Sequence, residues 1–301
     1  MKLIRSAALF LCFISIALAQ PAPPPIEPQA PAAALGVVGG RNNSYSDRIP
    51  AEQLVELDAA GDKFGARHIP DLSGDARGAV IILHDSAQHP AWPLTVAALS
   101  DELPLKGWDT LSIELPAPAT AAPADGAAPP APSAAPAAAP AVGAAAAGTE
   151  AKAQARIAAA LKYYVDAEKK NVVLIGFGSG SIRAAEFLRQ YAAGKAGNFE
   201  PIGALVLAMP LQQLNGIDAE LPKILPATAA PTLELILDND AQARIEAEAR
   251  RRAVLHQRER QYRQLHLPPL NTSSDPQHSL MVKRLRAWLQ KNAMTPAADA
   301  T

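Results

Sequence analysis

Residues 172–181, VVLIGFGSGS, decide the fold of this chain. The apolar run that opens the stretch does not alternate with polar residues, which is typical of a strand buried on both faces of a parallel sheet. Gly176, Gly178 and Gly180 follow at once, and a helical pattern starts at Ser179, so the strand turns into a helix with almost no loop. The turn places backbone N–H groups at a helix N-terminus, where they suit an anion or an oxyanion.

Other short apolar runs alternate with helical patterns before and after this turn. The predicted strands span residues 54–57, 63–68, 78–84, 108–115, 204–209, 232–237 and 262–267. The predicted helices span residues 93–103, 150–167, 179–193, 241–261 and 279–292. This order predicts an α/β fold with a doubly wound, mostly parallel sheet and helices on both faces. Ligands of such sheets bind at the carboxyl ends of the strands.

The N-terminus has the residue order of a secretory signal. Lys2 and Arg5 precede an apolar run at 7–19 that ends in Ala-Leu-Ala, the small residues of a cleavage site. Because the run is too short to span a bilayer, we predict a signal peptide at 1–19 and an exported protein, periplasmic or secreted, without stable membrane insertion. An uncleaved membrane anchor is the alternative. The only cysteine, Cys12, lies in this peptide, so the mature chain cannot form a disulfide.

Two segments rich in proline and alanine divide the chain. We predict a flexible leader at 20–45 and a disordered insertion at 116–148, because neither has enough apolar surface to offset the entropy cost of ordering. The folded domain is then expected at 46–292, followed by a flexible tail at 293–301. The formal net charge of -1 gives no field that attracts polyanions, so nucleic acid is not a predicted partner.

The turn has the spacing of a nucleophile elbow, G-x-Nuc-x-G. Its flanking glycines are Gly176 and Gly180, so the nucleophile position falls on Gly178, which has no attacking atom. A frame shifted by one makes Ser179 the nucleophile, but it places the bulky Phe177 where the elbow needs a small side chain. A glycine turn that only packs the strand against the helix is the structural alternative. The dinucleotide motif G-x-G-x-x-G fails at its third glycine, and we predict no cofactor.

The turn resembles the elbow of the α/β-hydrolase superfamily. Two further phrases, GAVIILHDSAQHPAWP at 78–93 and LPLKGWDTLSIELP at 103–116, resemble a family of exported bacterial α/β-hydrolase-like proteins of unknown function. The resemblance covers residues 52–292 apart from the insertion. It implies the α/β-hydrolase fold, but it brings no demonstrated reaction or substrate.

The resemblance also implies positions for further site residues. Hydrolases have an oxyanion-binding loop after the strand of the first phrase, and here that loop holds His84 and Asp85. The stretch PTLELILDND resembles the strand that delivers the catalytic acid, which implies Asp240, with Asp238 as the second choice. His278 follows the last predicted strand and precedes the final helix, so the order of nucleophile, acid and histidine is kept. Each of these residues also has a structural alternative as a cap or surface residue.

Two functions are compatible with these residues. The first is a non-catalytic or weakly catalytic protein that binds a small molecule or a partner at the former active-site face through His84, Asp85 and Ser179. The second is a hydrolase of ester, thioester or amide bonds that uses Ser179 or a water activated by His278. A carboxylate at Asp85 would repel an oxyanion unless it points away, and His84 is also a candidate structural histidine. The spacing of these groups with His89 matches no standard zinc pattern, so we predict no metal.

The helix predicted at 241–261 carries three consecutive arginines, residues 250–252. Glu246, Glu248 and Glu259 are interleaved with them. This pattern favours a solvated helix face with salt bridges over a basic patch that binds a partner.

Overall fold

The computed structural model describes residues 43–93, 95–117, 139–192, 202–214, 220–228, 230–238, 241–255, 262–268 and 276–293. The predicted signal peptide, the leader as far as residue 42, the insertion at 118–138 and the tail from 294 lie outside the described residues. Within the described ranges, none of the helices is long and apolar enough to cross a membrane.

One eight-stranded sheet organises the described residues. The strands are β1 (Leu54–Ala59), β2 (Asp62–Ile69), β3 (Gly78–Leu83), β4 (Trp108–Ile113), β5 (Val172–Phe177), β6 (Ile202–Ala208), β7 (Thr232–Leu237) and β8 (Tyr262–Leu267). The α-helices are α1 (Val96–Glu102), α2 (Ala139–Asp166), α3 (Ser179–Ala192), α4 (Leu221–Ile224), α5 (Ala241–Leu255) and α6 (Pro276–Asn292). Short 3-10 helices lie at Asn43–Arg48, Ala51–Gln53, Pro104–Lys106 and Leu225–Ala227.

The strand order is β1-β2-β4-β3-β5-β6-β7-β8. β1 and β2 form an antiparallel hairpin, β2 pairs antiparallel with β4, and the strands from β4 to β8 run parallel. β3 therefore lies directly beside β5, with Leu83 opposite Gly176. This register brings the loop after β3 to the turn after β5, although nearly a hundred residues separate them in the sequence.

The parallel strands are buried on both faces, as their continuous apolar runs predict. Ile81 and Leu174 point to one face and pack in a cluster with residues of α2, α3 and α4. Ile82 and Ile175 point to the other face and pack with residues of α1 and α6. The predicted α/β architecture, with helices on both sides of a mostly parallel sheet, is therefore confirmed.

Two helices begin earlier than the sequence pattern indicates. α2 starts at Ala139 instead of at residue 150, so the last part of the predicted insertion is helical. Within α2, the only proline is Pro140, which lies in the first turn, where the N–H that it lacks has no partner in the helix. The alanines that follow it favour the helical conformation. α6 starts at Pro276 instead of residue 279, which places His278 inside the first turn of the helix.

Candidate functional site

The turn after β5 consists of a single residue, Gly178, between Phe177 and Ser179. Gly178 has a φ of 52°, in the left-handed region that favours glycine. A Cβ atom on Gly176 would lie 2.4 Å from the carbonyl oxygen of Gly180, so the strand and the helix approach too closely for a side chain there. The geometry is that of a tight strand-to-helix elbow, at the carboxyl edge of the sheet.

The carboxylate of Asp85 occupies the space in front of this elbow. A Cβ atom built on Gly178 would lie 2.4 Å from Cγ of Asp85, and 2.6 and 2.7 Å from its two carboxylate oxygens. Real Cβ atoms do not approach other atoms this closely. Gly178 therefore has two reasons to be glycine, its backbone conformation and the carboxylate that fills the adjacent space.

Three hydrogen bonds hold one oxygen of this carboxylate. Oδ1 of Asp85 accepts from the Ser179 backbone N–H at 2.8 Å, from the Ser179 hydroxyl at 2.6 Å and from the Ser86 backbone N–H at 2.8 Å. The Ser179 N–H is also the first of α3, whose N-terminal dipole favours a negative charge. Within the described ranges, no hydrogen bond reaches the second oxygen, Oδ2. The Ser179 N–H, one of the helix N-terminal N–H groups that the sequence predicted to suit an anion or an oxyanion, thus binds a carboxylate of the protein itself.

The Ser179 side chain lies beneath this carboxylate and is 1% exposed. Its Oγ donates to Asp85 and accepts from the Ser86 N–H at 2.8 Å. Ser86 Oγ lies 2.7 Å from Ser179 Oγ, and it acts as the donor because the Ser179 hydrogen is directed to Asp85. A nucleophilic hydroxyl must face its substrate, whereas this hydroxyl faces the protein and holds the loop after β3 against the elbow.

His84 is buried, and both of its ring nitrogens contact the backbone. Nε2 accepts from the Leu115 N–H at 3.0 Å, which leaves the hydrogen on Nδ1, and Nδ1 donates to the Asp85 carbonyl at 2.6 Å. Burial disfavours the charged ring and lowers the pKa of His84 to about 4, although the bond to the Asp85 carbonyl acts in the opposite direction. The ring is therefore neutral near pH 7, and it positions the loop that carries Asp85.

Three residues were implied as the catalytic acid and histidine: Asp240, Asp238 and His278. Of their side chains, the structure describes only that of Asp238, at the carboxyl edge of the sheet. Asp240 lies outside the described residues, and of His278 the structure describes only the backbone in α6. Asp238 follows β7, and its Oδ1 lies 2.7 Å from Nδ1 of His266 on β8. Both side chains of this pair are partly exposed. The sequence analysis did not select His266 as a site residue. It could have done so, because His266 lies near the end of β8, the strand that pairs with β7.

His89, the third group weighed as a metal ligand, belongs to an aromatic stack. Its ring lies parallel to that of Tyr45 at a centroid distance of 5.4 Å and edge-to-face with Trp92, also at 5.4 Å. Its Nδ1 accepts from the Ala91 N–H at 3.2 Å. The Tyr45 hydroxyl donates to Glu114, and burial followed by the charge of Glu114 raises the pKa of Tyr45. The stack fastens the 3-10 helix at Asn43–Arg48 to the carboxyl edge of the sheet.

A family model described as a protein of unknown function, DUF3530, matches residues 2–291 of the chain. The chain belongs to the DUF3530 family. This agrees with the resemblance to an α/β-hydrolase-like family of unknown function. None of the curated proteins matches the sequence.

Solved structures similar to this chain include hydrolases and esterases. A dienelactone hydrolase from Anabaena variabilis is 15% identical, with a TM-score of 0.56 over 80% of this chain and 97% of that chain. Est1E from Butyrivibrio proteoclasticus with bound ferulic acid is 12% identical, with a TM-score of 0.54 over 79% of this chain and 98% of that chain. A lipase/esterase from Lactobacillus plantarum is 13% identical, with a TM-score of 0.55 over 80% and 98%. At these identities the likeness establishes the α/β-hydrolase fold alone for this DUF3530 member.

A groove lies between α2, α3 and α4, with its α3 wall running from Ile182 to Gln190, and has a volume of about 710 Å³. Its walls combine apolar side chains, such as Leu214 and Ile224, with charges that are paired within the walls. Arg183 is buried and binds Glu150 through Nε and Nη2, with an Nε–Oε2 distance of 2.8 Å. The volume is that of a site for a small molecule.

A buried ion pair between Glu234 and Arg250 lies on the same face of the sheet as this groove, and the sequence analysis did not predict it. Glu234 of β7 is fully buried, and its Oε1 accepts from Nη2 of Arg250 at 2.7 Å and from Nε at 3.0 Å. Tyr262 and Gln264 of β8 bond its other oxygen. The prediction of a solvated arginine face was therefore wrong for Arg250, although it describes the exposed pair of Arg251 and Glu248. The signal was the carboxylate in the apolar strand TLELIL, which requires a buried cation.

Proposed function

We propose that this DUF3530 protein is exported to the periplasm and binds a small molecule or a partner at the carboxyl edge of its sheet, without transferring acyl groups. One observation carries the proposal. The carboxylate of Asp85 fills the space in front of Gly178 and takes the N–H groups that an acyl-transfer site would direct at its substrate.

Acyl transfer needs an attacking atom and donors aimed at the oxygen that becomes negative. Gly178 offers no attacking atom, and the Ser179 hydroxyl is buried under Asp85. The Ser179 and Ser86 N–H groups already donate to Oδ1 of Asp85. An incoming carbonyl oxygen would meet a negative carboxylate where it needs a donor, so the arrangement opposes the transition state that it would have to stabilise.

The N-terminal sequence supports export. Two cations, an apolar run and a small-residue cleavage site follow one another within residues 1–19. Removal of this peptide takes away Cys12, so the mature protein folds without a disulfide in an oxidising compartment.

The acyl-transfer part is tested with the purified mature protein and a panel of p-nitrophenyl esters, thioesters and anilides. We expect no turnover above buffer. The panel is repeated with Ser179→Ala and His278→Ala, and turnover that either change abolishes would establish the alternative hydrolase and overturn the proposal.

Binding and export are tested on protein taken from a periplasmic extract. Intact mass measurement should give a chain that starts at Gln20, and native mass spectrometry should detect a retained small molecule or partner. A chain that still carries residues 1–19 would contradict export. Titration of the recovered molecule into Asp85→Asn and into the wild type locates it, because a ligand of the carboxyl edge loses affinity in the variant.

A further inference from the structure

We infer that two copies of this chain associate through the outer face of α5, with the two helices antiparallel, to form a weak symmetric dimer. The inference concerns this helix and not the loops at the carboxyl edge of the sheet, so it goes beyond the proposed function and does not depend on it. It follows from the chemistry and the spacing of four side chains.

The outer face of α5 carries two exposed apolar side chains. The buried residues of the helix are Ala247, Arg250 and Val254, which lie on the side that packs against the rest of the fold. On the other side, Ile245 and Leu255 are each 63% exposed. Single exposed apolar residues are common on protein surfaces, so exposure alone does not indicate a partner. The indication comes from what lies between these two residues.

Two residues of opposite charge, Glu248 and Arg252, lie between Ile245 and Leu255 on the same face. At 3.6 residues per turn, positions 245, 248, 252 and 255 fall within about 80° of one another around the helix axis. Their spacing of three, four and three residues is that of helices packed side by side in a coiled coil. We call these four residues the outer stripe.

The outer stripe is complementary to itself in the antiparallel orientation. A two-fold axis level with Arg250 places Ile245 of each copy against Leu255 of the other. The same axis places Glu248 of each copy against Arg252 of the other. All four contacts are then favourable, with an apolar pair at each end and two ion pairs of opposite sign between them.

Other arrangements of the two helices are disfavoured. A parallel pair would place Glu248 against Glu248 and Arg252 against Arg252, which are like charges. A shift of the antiparallel pair by one helical turn would place an apolar side chain against a charged one, which leaves the charge poorly solvated. The outer stripe therefore specifies one orientation and one register.

The charged residues of the outer stripe remain able to bind a second copy. Within one chain, Glu248 Oε2 accepts from Arg251 Nε at 3.0 Å, and Arg252 Nε lies 3.6 Å from Glu248 Oε1. The side chains of Glu248 and Arg252 are 42% and 69% exposed. Ion pairs this exposed contribute little to stability, so they rearrange at little cost. A guanidinium has five N–H donors, so Arg252 can bind carboxylates of both copies.

Arg251, which is exposed beside the outer stripe, does not oppose this pairing. In the antiparallel register it lies level with Ala249 of the second copy, which is small and half-buried. Its charge is therefore not placed directly against another arginine. This difference between two neighbouring arginines supplies a control for the experiments.

The area of contact predicts a weak dimer. Each copy contributes one helix face, and interfaces below about 1,200 Å² are typical of weak, transient complexes. We expect a dissociation constant on the order of 100 µM, so sedimentation equilibrium of the mature protein is measured from about 10 to about 500 µM. The average mass should rise from that of one chain towards that of two. A mass that stays at one chain over this range would overturn the inference.

Exchange of the two charges tests the register. Glu248→Arg and Arg252→Glu should each remain monomeric, because like charges then meet in both ion pairs of the dimer. An equimolar mixture of the two variants should associate again, because every pair in the mixed dimer has opposite signs. Circular dichroism checks that each variant is folded. A mixture that associates no more than its separate components would contradict the proposed pairing.

Arg251→Glu is the matched control, since it makes the same change of charge at the adjacent exposed position. It should associate as the wild type does. Equal loss of association in Arg251→Glu and Arg252→Glu would mean that net charge and not the register governs association, and it would overturn the inference.

Disulfide trapping tests the same register without a change of charge. The mature chain has no cysteine, so Ile245→Cys and Leu255→Cys each introduce a single thiol. Under mild oxidation, a mixture of the two variants should form the linked dimer faster than either variant alone, because position 245 meets position 255 of the second copy. Equally fast linkage of each variant with itself, or no linkage in the mixture, would show that the copies do not meet in this way.

Discussion

The carboxylate carbon of Asp85 lies 2.4 Å from the point that a Cβ atom of Gly178 would occupy. The two residues belong to loops after adjacent parallel strands, β3 and β5. Neither residue can be understood alone, because the glycine makes room for the carboxylate and the carboxylate takes the donors next to the glycine.

Gly178→Ala should destabilise the protein by more than its backbone conformation explains. A left-handed alanine costs about 1–2 kcal/mol, and overlap in a packed site adds about 1–3 kcal/mol. Gly74→Ala is the control, since Gly74 has a φ of 75°, nearer that of Gly178, and open space where its Cβ would lie. Urea unfolding measures both free energies. In an Asp85→Ala background the additional cost at Gly178 should disappear, and its persistence would mean that the overlap is not its cause.

Stability should fall between pH 6.5 and pH 4 because of His84. Burial lowers the pKa of His84 in the folded state to about 4, whereas the unfolded ring titrates near 6.5. The unfolded chain therefore binds the proton first, and folding loses up to about 3 kcal/mol across this window, with no loss above it. His84→Gln keeps a neutral donor and acceptor and should not show this loss. Urea unfolding at each pH measures the difference, and parallel pH profiles would refute the assignment.

Arg250→Met should be strongly destabilising, because it leaves the Glu234 carboxylate buried without its cation. Removal of one partner of a buried ion pair costs about 3–5 kcal/mol. The neighbouring Arg251 pairs with Glu248 at the surface, so Arg251→Met should cost less than about 1 kcal/mol. Equal unfolding free energies for the two variants would contradict the buried network.

Deletion of residues 119–146 should change the melting temperature by less than about 3 °C. Residues 144–152 of α2 are exposed or half-buried, and the buried residues of the helix described after them begin at Ala153. Leu161→Ala, in the packed part of the same helix, should instead cost about 2–5 kcal/mol. Calorimetry measures the melting temperatures of both variants. A large decrease in the melting temperature of the deletion variant would mean that residues 119–146 stabilise the fold.

The sequence predicted the sheet well where burial leaves a simple pattern. β3 and β5 are continuous apolar runs, and β8 begins and ends at the predicted residues. The start of α2 was not predicted correctly, because a segment of alanine with scattered proline does not reveal at which residue a helix can begin. The start of that helix follows from Pro140 and from packing further along the chain, and packing is not visible in composition.

The candidate site was predictable in its turn and not in its contacts. The glycines of 172–181 fix a strand-to-helix elbow, and the loop of His84 and Asp85 was placed nearby by resemblance. That Asp85 would fill the space before Gly178 depends on the order of strands in the sheet and on a register that pairs Leu83 with Gly176. Pairing between distant strands leaves no signal in the local sequence. The buried ion pair did leave one, because Glu234 is the single charged residue in the apolar strand TLELIL.

The shared space of Asp85 and Gly178 constrains how this family can change over evolutionary time. A residue with a side chain at position 178 is incompatible with the present carboxylate, and a small residue at 85 beside Gly178 leaves the N–H groups without their acceptor. Each single substitution is therefore penalised before the second can compensate. In an alignment of relatives, positions 85 and 178 are expected to covary, and an ancestor with a different residue at one of them should differ at both.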